Sequence, residues 1–158
     1  MNGLLWRAVL AFFALPGTMA FLIPLLLLRP TGPGHSFTVL GLIPLSLGVG
    51  LLFWCVREFY VAGKGTLAPW ALPQKLVITG LYQFSRNPMY IAVLLVLCGW
   101  ALGFRSRSLV IYALVVMLAF HLRVVFGEEP WLLQTHGEDW IRYKARVPRW
   151  FGFRRRVD

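Results

Sequence analysis

The residues best suited to chemistry form a short polar stretch immediately before a long apolar run. Arg86-Asn87-Pro88 precedes residues Met89 to Phe104, which are almost wholly apolar. Asn87 is a favourable N-cap, and Pro88 suits the first helical position because its missing N–H would be unpaired there anyway. The start of such a helix presents free N–H groups and a positive dipole end, and Arg86 adds a cation. The pattern therefore predicts a site for an anionic group.

A second polar cluster, Glu128-Glu129-Pro130, follows the next apolar run, Leu109 to Phe126. Only the short turn Arg105–Ser108 separates the two apolar runs, which predicts an antiparallel helical hairpin. Such a hairpin brings the start of its first helix and the end of its second helix to the same membrane face. The cationic and acidic clusters are therefore expected to be neighbours.

The composition is that of an integral membrane protein. Of the 158 residues, 58% are hydrophobic and only 14% are charged, which leaves too little polar surface for a soluble domain of this size. The formal net charge of +10 would suggest nucleic-acid binding in a soluble protein, but no basic-aromatic surface stands apart from the apolar segments. We infer that the basic residues orient the protein in the membrane by the positive-inside rule and attract anionic lipid headgroups. The expected partners are therefore membrane lipids and not nucleic acid.

The predicted fold is all-α, a single membrane domain over residues 1–158 with four transmembrane helices, the last two forming the C-terminal hairpin. The transmembrane segments are expected at about residues 4–28, 37–61, 89–104 and 109–126. The first is interpreted as a retained membrane helix and not as a signal peptide. A tail over residues 127–158 mixes apolar and basic residues, which predicts interfacial helices on the cytoplasmic side.

Basic residues concentrate in the loop after the second segment and in the tail. This bias predicts a multi-pass protein of the inner, cytoplasmic membrane, with both termini and the polar site on the cytoplasmic side. No metal site is predicted, because Cys55 and Cys98 lie inside apolar runs and are not in metal-ligand spacing.

Several short motifs occur in an order and spacing that together resemble one family. They are Gly65-Thr66-Leu67-Ala68-Pro69, Lys75-Leu76-Val77 with Gly80-Leu81-Tyr82, Arg86-Asn87-Pro88-Met89-Tyr90, Glu128-Glu129-Pro130, and Val147-Pro148-Arg149-Trp150. With them the chain resembles the isoprenylcysteine carboxyl methyltransferase family, including its bacterial relatives, and more distantly the phospholipid N-methyltransferases. The resemblance covers about residues 48 to 152. It implies that S-adenosylmethionine binds at the cytoplasmic end of the hairpin.

The resemblance also implies which residues bind this cofactor. They are Gln74, Lys75, Leu76, Val77, Tyr82, Asn87, Pro88, Met89 and Tyr90, together with Glu128 from the other helix. The residue types suit the cofactor, because its carboxylate matches the helix N-terminus and Arg86. Its ammonium, sulfonium and ribose hydroxyls match Glu128 and Glu129. Its adenine could stack on Tyr82 or Tyr90.

The chain departs from the family pattern at some positions. Asn87 stands where many members have histidine. The arginine that eukaryotic members use for substrate binding falls at Val124, and the neighbouring Arg123 points about 100° away on a helix. Arg123 and Arg57, which lies at the cytoplasmic end of the second segment, are the candidate substrate-binding residues. His121 lies seven residues before Glu128, so a continuous helix would place both within about 20° of one face.

The function predicted from the sequence is that of a membrane-embedded methyltransferase dependent on S-adenosylmethionine. Its acceptor is expected to be amphiphilic, either a lipid-like small molecule or a lipidated (prenylated) partner, and carboxyl methylation is favoured. A carboxylate acceptor needs no general base, whereas an amine or hydroxyl acceptor needs one, for which Glu129 and His121 are the catalytic candidates. Two alternatives stay open: an NADPH oxidoreductase similar to sterol reductases, and a non-catalytic membrane scaffold.

Overall fold

The structure is a computed structural model that describes residues 13–28, 37–61 and 76–152. Within these ranges every regular element is helical, in agreement with the predicted fold class. In chain order the helices are α1, a π-helical stretch over Phe13–Leu22 that continues as an α-helix over Ile23–Leu28; α2, Leu42–Val61; α3, Pro88–Phe104; α4, Arg107–Arg123; and α5, Glu129–Arg146.

Two of the helical stretches are long and apolar enough to cross a membrane, Val39–Glu58 and Arg107–Arg146, and two shorter apolar helices cover Pro16–Leu28 and Pro88–Phe104. Large apolar side chains lie exposed along α2 and α4, among them Phe53 and Ile111. Exposed apolar helix surfaces of this kind suit contact with lipid. The all-helical fold is compatible with a helical membrane protein, while the number of crossings and the orientation stay predictions.

The core lies where the first four helices meet. It contains Ala20 of α1, Leu52 of α2, Val93 of α3 and Phe120 of α4, all of them buried. The most extensive contact between helices joins α2 and α3. This contact fixes α3, the helix that starts at the polar cluster.

Glycines allow α2 and α3 to approach each other closely. A Cβ atom on Gly48 of α2 would lie 2.7 Å from the backbone nitrogen of Val96 on α3. A Cβ atom on Gly99 of α3 would lie 2.7 Å from the Cβ of Leu45 on α2. Small residues at such contacts are typical of membrane helices, where lipid is as apolar as the side chains and close packing drives association.

Substituting alanine for Gly48 is expected to destabilise the protein by about 1–3 kcal/mol, because the added methyl group forces α2 and α3 apart. Gly50 is the matched control, since it lies on the same helix and a Cβ atom there would meet nothing within 4 Å. Thermal unfolding in detergent, followed by circular dichroism, compares the two variants. Equal melting temperatures for Gly48→Ala and Gly50→Ala would contradict the close contact.

The predicted hairpin between α3 and α4 is present. Arg105 adopts the left-handed conformation at the end of α3, with φ 49°. Ser106 then caps α4 by accepting a hydrogen bond from the backbone N–H of Leu109 at 3.4 Å. Because Ser106 supplies this cap, α4 begins at Arg107, two residues before the predicted start.

The predicted end of the fourth segment at residue 126 is not a helix end in the structure. A π-helical turn, Val124–Glu128, joins α4 directly to α5. Pro130 has no N–H to donate to the preceding turn, and the helix widens just before it. A π turn holds more residues than an α turn, so the expected 20° relation between His121 and Glu128 does not apply.

Candidate functional site

The structure brings the two polar clusters together at the junction of α3 with the π turn. Arg86, just before α3, donates from Nη1 to Oε1 of Glu129 at 2.9 Å. Tyr90, in the first turn of α3, donates its hydroxyl hydrogen to Oε1 of Glu128. Residues that are distant in the sequence thus meet as the hairpin predicts. Two adjacent glutamates divide the site into a buried half and a more exposed half.

The buried half is a cluster of cations around Glu129, whose side chain is only 10% exposed. Arg149 forms a bidentate pair with it, from Nε at 2.6 Å and from Nη2 at 2.9 Å. Nζ of Lys144 lies 3.8 Å from Oε2. Arg86 is even more deeply buried, with its side chain 7% exposed and its guanidinium 5.3 Å from the ring centroid of Trp140. Three cations therefore share one carboxylate, which leaves excess positive charge.

The electrostatics of this cluster argue against the predicted general-base role of Glu129. Burial alone raises the pKa of the Glu129 carboxyl, but the hydrogen bond from Arg149 and the charges of Arg86, Arg149 and Lys144 outweigh burial, and the pKa falls below its ordinary value. Burial lowers the pKa of Arg86, opposed by Glu129. A carboxylate with a lowered pKa and three cationic partners is a weak proton acceptor.

The N-terminus of α3 has donors available for an anion. Pro88 has no N–H, and helix geometry leaves the N–H groups of Met89 and Tyr90 without intrahelical acceptors. Asn87 occupies the predicted N-cap position, but its side chain makes no cap hydrogen bond. Among the described residues, the buried Nε of Arg86 also has no hydrogen-bond partner. These donors lie beside the excess positive charge.

The more exposed half is a triad of Tyr90, Arg123 and Glu128. Nε of Arg123 donates to Oε1 of Glu128 at 2.9 Å and lies 3.2 Å from the Tyr90 hydroxyl. The side chains of Arg123 and Glu128 are 56% and 32% exposed. The Tyr90 ring stacks on Phe120 of α4, with centroids 4.3 Å apart. Arg123, a candidate substrate-binding residue, therefore contacts two of the predicted cofactor-binding residues, Tyr90 and Glu128.

Comparison with known proteins identifies the family to which this arrangement belongs. A family model described as phospholipid methyltransferase matches residues 37–139. The chain belongs to this family. The match includes α2, α3, α4 and both glutamates, and it confirms the resemblance to the isoprenylcysteine and phospholipid methyltransferases.

A known methyltransferase is similar to part of the chain, in agreement with the family assignment. The chain is 34% identical over 79 residues to protein-S-isoprenylcysteine O-methyltransferase B of Arabidopsis thaliana. This match covers 47% of the chain and 38% of the relative, so the chain spans well under half of that relative's length. No solved structure matches the chain.

A C-terminal strap, residues 147–152, lies beyond the part matched by the phospholipid methyltransferase model and holds the start of α3. The backbone N–H of Arg86 donates to the carbonyl of Pro148 at 3.0 Å. The Asn87 side chain donates from Nδ2 to the carbonyl of Arg149 at 3.0 Å, which explains why it does not cap α3. Trp150 donates from Nε1 to Nδ1 of His121 at 3.4 Å, so the strap also reaches α4.

Other predicted cofactor-binding residues of this family member lie in packing positions. Tyr82 is buried with Val77 and Cys55, so its ring is not available for the predicted stacking on adenine. Leu76 packs against buried residues of α5 and the strap, and Pro88 is buried at the start of α3. Gln74 and Lys75 lie outside the described residues.

Arg57 is predicted to bind substrate. Its Nη1 lies 3.4 Å from Oε1 of Glu58, the next residue on the same helix. Within the described residues, the Arg57 side chain makes no contact with Glu128 or Glu129. Glu58 was not predicted as a site residue. It accepts a hydrogen bond from Oγ1 of Thr79 at 2.9 Å. Gly80, with φ 56°, packs so closely that a Cβ atom would lie 2.7 Å from Cδ of Glu58. Glu58 thus anchors the segment that leads to Arg86, a role with no local sequence signal.

Proposed function

We propose that this protein is a membrane-embedded methyltransferase that uses S-adenosylmethionine and acts on an amphiphilic acceptor. The proposal rests mainly on one observation: groups of opposite charge lie side by side where the start of α3 meets the π turn. A buried cluster with excess positive charge lies beside the carboxylate of Glu128, and both face the N-terminus of one helix. Membership of the phospholipid methyltransferase family supports the same reaction class.

The residues present fit the zwitterionic end of this cofactor. The N–H groups of Met89 and Tyr90 and the unpaired Nε of Arg86 are suited to a carboxylate. Glu128, with part of its surface exposed, is suited to an ammonium group. When bound, S-adenosylmethionine supplies a methyl group activated by a sulfonium. The residues of this chain then act by orienting the reactants and excluding water.

An apolar groove beside the start of α3 suits the tail of an amphiphilic acceptor. It has a volume of about 210 Å³ and is open to the outside. Leu51 of α2, Ile91 of α3 and Trp150 of the strap contribute to its walls. Pro88, the first residue of α3, also lines the groove, as does Ser85, whose Oγ accepts a hydrogen bond from the backbone N–H of Asn87 at 3.1 Å. A molecule with its tail in the groove would therefore have its headgroup near the start of α3 and the proposed cofactor site.

The hydrogen bonds of the two predicted bases favour an acceptor that needs no deprotonation. Glu129 is paired with cations, and Nδ1 of His121 accepts a hydrogen bond from Trp150. A neutral histidine in this contact carries its proton on Nε2 and has no free acceptor nitrogen. A carboxylate is already anionic at neutral pH. Carboxyl methylation is therefore the reaction we propose, with the site on the cytoplasmic side as the distribution of basic residues predicts.

Calorimetric titration of the detergent-purified protein tests the cofactor. S-adenosylmethionine and S-adenosylhomocysteine are expected to bind and to raise the melting temperature, because a ligand that binds only the native state stabilises it. NADPH serves as the comparison ligand and is expected to do neither. Absence of binding at millimolar S-adenosylmethionine would overturn the proposal, and stabilisation by NADPH instead would favour an oxidoreductase.

A further inference from the structure

Glu58 is a buried carboxylate near the end of α2. The residue is 9% exposed and is the last residue of the apolar stretch Val39–Glu58. An ionisable side chain in an apolar helix is costly, which indicates a specific role. Among the described residues, the cation in contact with it is Arg57, which lies 3.4 Å away with its side chain 70% exposed. An exposed ion pair stabilises little, so charge pairing does not explain why a carboxylate stands at this position.

The contacts of Glu58 are directed at the segment that leads into α3. Oγ1 of Thr79 donates to its Oε2 at 2.9 Å, and the contacts within α2, from Trp54 at 3.3 Å and from Arg57 at 3.4 Å, are longer. A Cβ atom on Gly80, whose φ is 56°, would lie 2.7 Å from Cδ of Glu58. A hydrogen bond to Thr79 and close packing against Gly80 therefore fix one point of this segment on α2.

Overlapping hydrogen bonds connect this point to the start of α3. The backbone N–H of Tyr82 donates to the carbonyl of Thr79 at 3.0 Å. The backbone N–H of Ser85 donates to the carbonyl of Leu81 at 3.2 Å. Oγ of Ser85 in turn accepts from the backbone N–H of Asn87 at 3.1 Å, and α3 begins at the next residue. A shift of Thr79 is therefore passed through short turns to the first residues of α3.

We propose that Glu58 is a positioning residue of the cofactor site that acts through Thr79 on the start of α3. This inference rests on the proposed function. The N–H groups of Met89 and Tyr90 bind one carboxylate together only if they keep their orientation, because hydrogen bonds weaken steeply with misalignment. The strap holds the same end of α3 through the backbone of Arg86. Loss of the Glu58 contact is therefore expected to misplace these donors without unfolding the protein.

The first experiment measures cofactor affinity. Thr79→Val keeps the shape of the side chain but removes the hydroxyl. In calorimetric titration, S-adenosylhomocysteine is expected to bind this variant about three- to tenfold more weakly than the wild type, the scale of one hydrogen bond. Thr79→Ser keeps the hydroxyl and is expected to bind like the wild type. Thr38→Val is the matched control with unchanged affinity, because Oγ1 of Thr38 donates to the carbonyl of Leu102 at 3.0 Å, at the other end of α3.

The pattern over these variants separates positioning from stability. A purely structural role predicts similar effects of Thr79→Val and Thr38→Val, since each variant loses a threonine hydroxyl that holds one end of α3. Wild-type affinity in Thr79→Val, or an equal loss in Thr38→Val, would overturn the inference and leave the proposed function standing. Failure of the wild type to bind S-adenosylhomocysteine would instead overturn the proposed function together with the inference.

A double-mutant cycle tests whether Glu58 acts through Thr79. Glu58→Met keeps an unbranched side chain without the carboxylate and is expected to weaken binding at least as much as Thr79→Val. Adding Thr79→Val to Glu58→Met is expected to cause no further loss, because the interaction between the two side chains is already absent. Additive losses of affinity would overturn the inference.

Hydrogen exchange of the cofactor-free protein, followed by mass spectrometry, gives a readout that does not depend on ligand binding. The backbone amides of residues 82–87 are expected to exchange severalfold faster in Thr79→Val than in the wild type, because the turns that contain them lose their attachment to α2. Thr38→Val is expected to exchange these amides at the wild-type rate. Equal rates in all three proteins would show that Thr79 does not hold the start of α3 and would overturn the inference.

Discussion

Replacing Glu129 by glutamine is expected to lower the melting temperature in detergent by about 10 °C. The substitution leaves the buried guanidinium of Arg86 without its counter-charge, and Arg149 loses its bidentate partner. Breaking a buried ion pair by removing one partner costs about 3–5 kcal/mol. For a chain of this length each kcal/mol corresponds to roughly 2–4 °C. Thermal unfolding followed by circular dichroism measures the shift.

Glu138→Gln is the control for this prediction. Glu138 also pairs with an arginine, but its side chain is 85% exposed, so its removal is expected to change the melting temperature little. Acid gives a second comparison. The pKa of Glu129 is lower in the folded protein than in the unfolded chain, so its contribution is present above the ordinary glutamate pKa and is lost as the pH falls through the lowered value. Similar melting temperatures for Glu129→Gln and Glu138→Gln would contradict a structural role for the cluster.

Replacing Glu128 by glutamine is expected to weaken S-adenosylmethionine binding about 10- to 100-fold. The substitution keeps the size of the side chain but removes the negative charge offered to the cofactor's cationic end. A hydrogen bond to a charged group contributes about 1.5–3 kcal/mol, which corresponds to this change in affinity. Calorimetric titration measures the affinity, and methyl transfer is expected to fall with it at cofactor concentrations below saturation.

This second prediction separates binding from folding. The Glu128 side chain is partly exposed, so Glu128→Gln is expected to melt within a few degrees of the wild type. Glu138→Gln again serves as the control, because it removes a carboxylate from α5 outside the site. Unchanged affinity in Glu128→Gln would remove Glu128 from the cofactor site.

The meeting of the two polar clusters could be predicted from the sequence because it depends on local signals. A short polar turn between two apolar runs predicts a hairpin, and a hairpin places Arg86 and Glu129 at one end. The start of α3 could be predicted for the same reason, since Asn87-Pro88 is a strong helix-start signal. The all-α class follows from the composition.

The partners of individual side chains could not be predicted, because they depend on segments that are remote in the sequence. Asn87 was expected to cap α3, but the carbonyl of Arg149 competes for its side chain. Tyr82 was expected beside the adenine, and it is buried against Cys55 instead. Tertiary contacts determine each of these outcomes.

The position of the strap has a consequence for biosynthesis. Arg149 follows every helix of the site in the chain, so the ribosome adds it after α3, α4 and Glu129 have been made. Glu129 lies 20 residues before Arg149, so the ribosomal exit tunnel still encloses Glu129 when Arg149 is added, whereas Arg86 and α3 have already left the tunnel. We expect the nascent protein to insert its helices with this junction incomplete. The final arrangement forms only when the last stretch folds back onto the membrane surface.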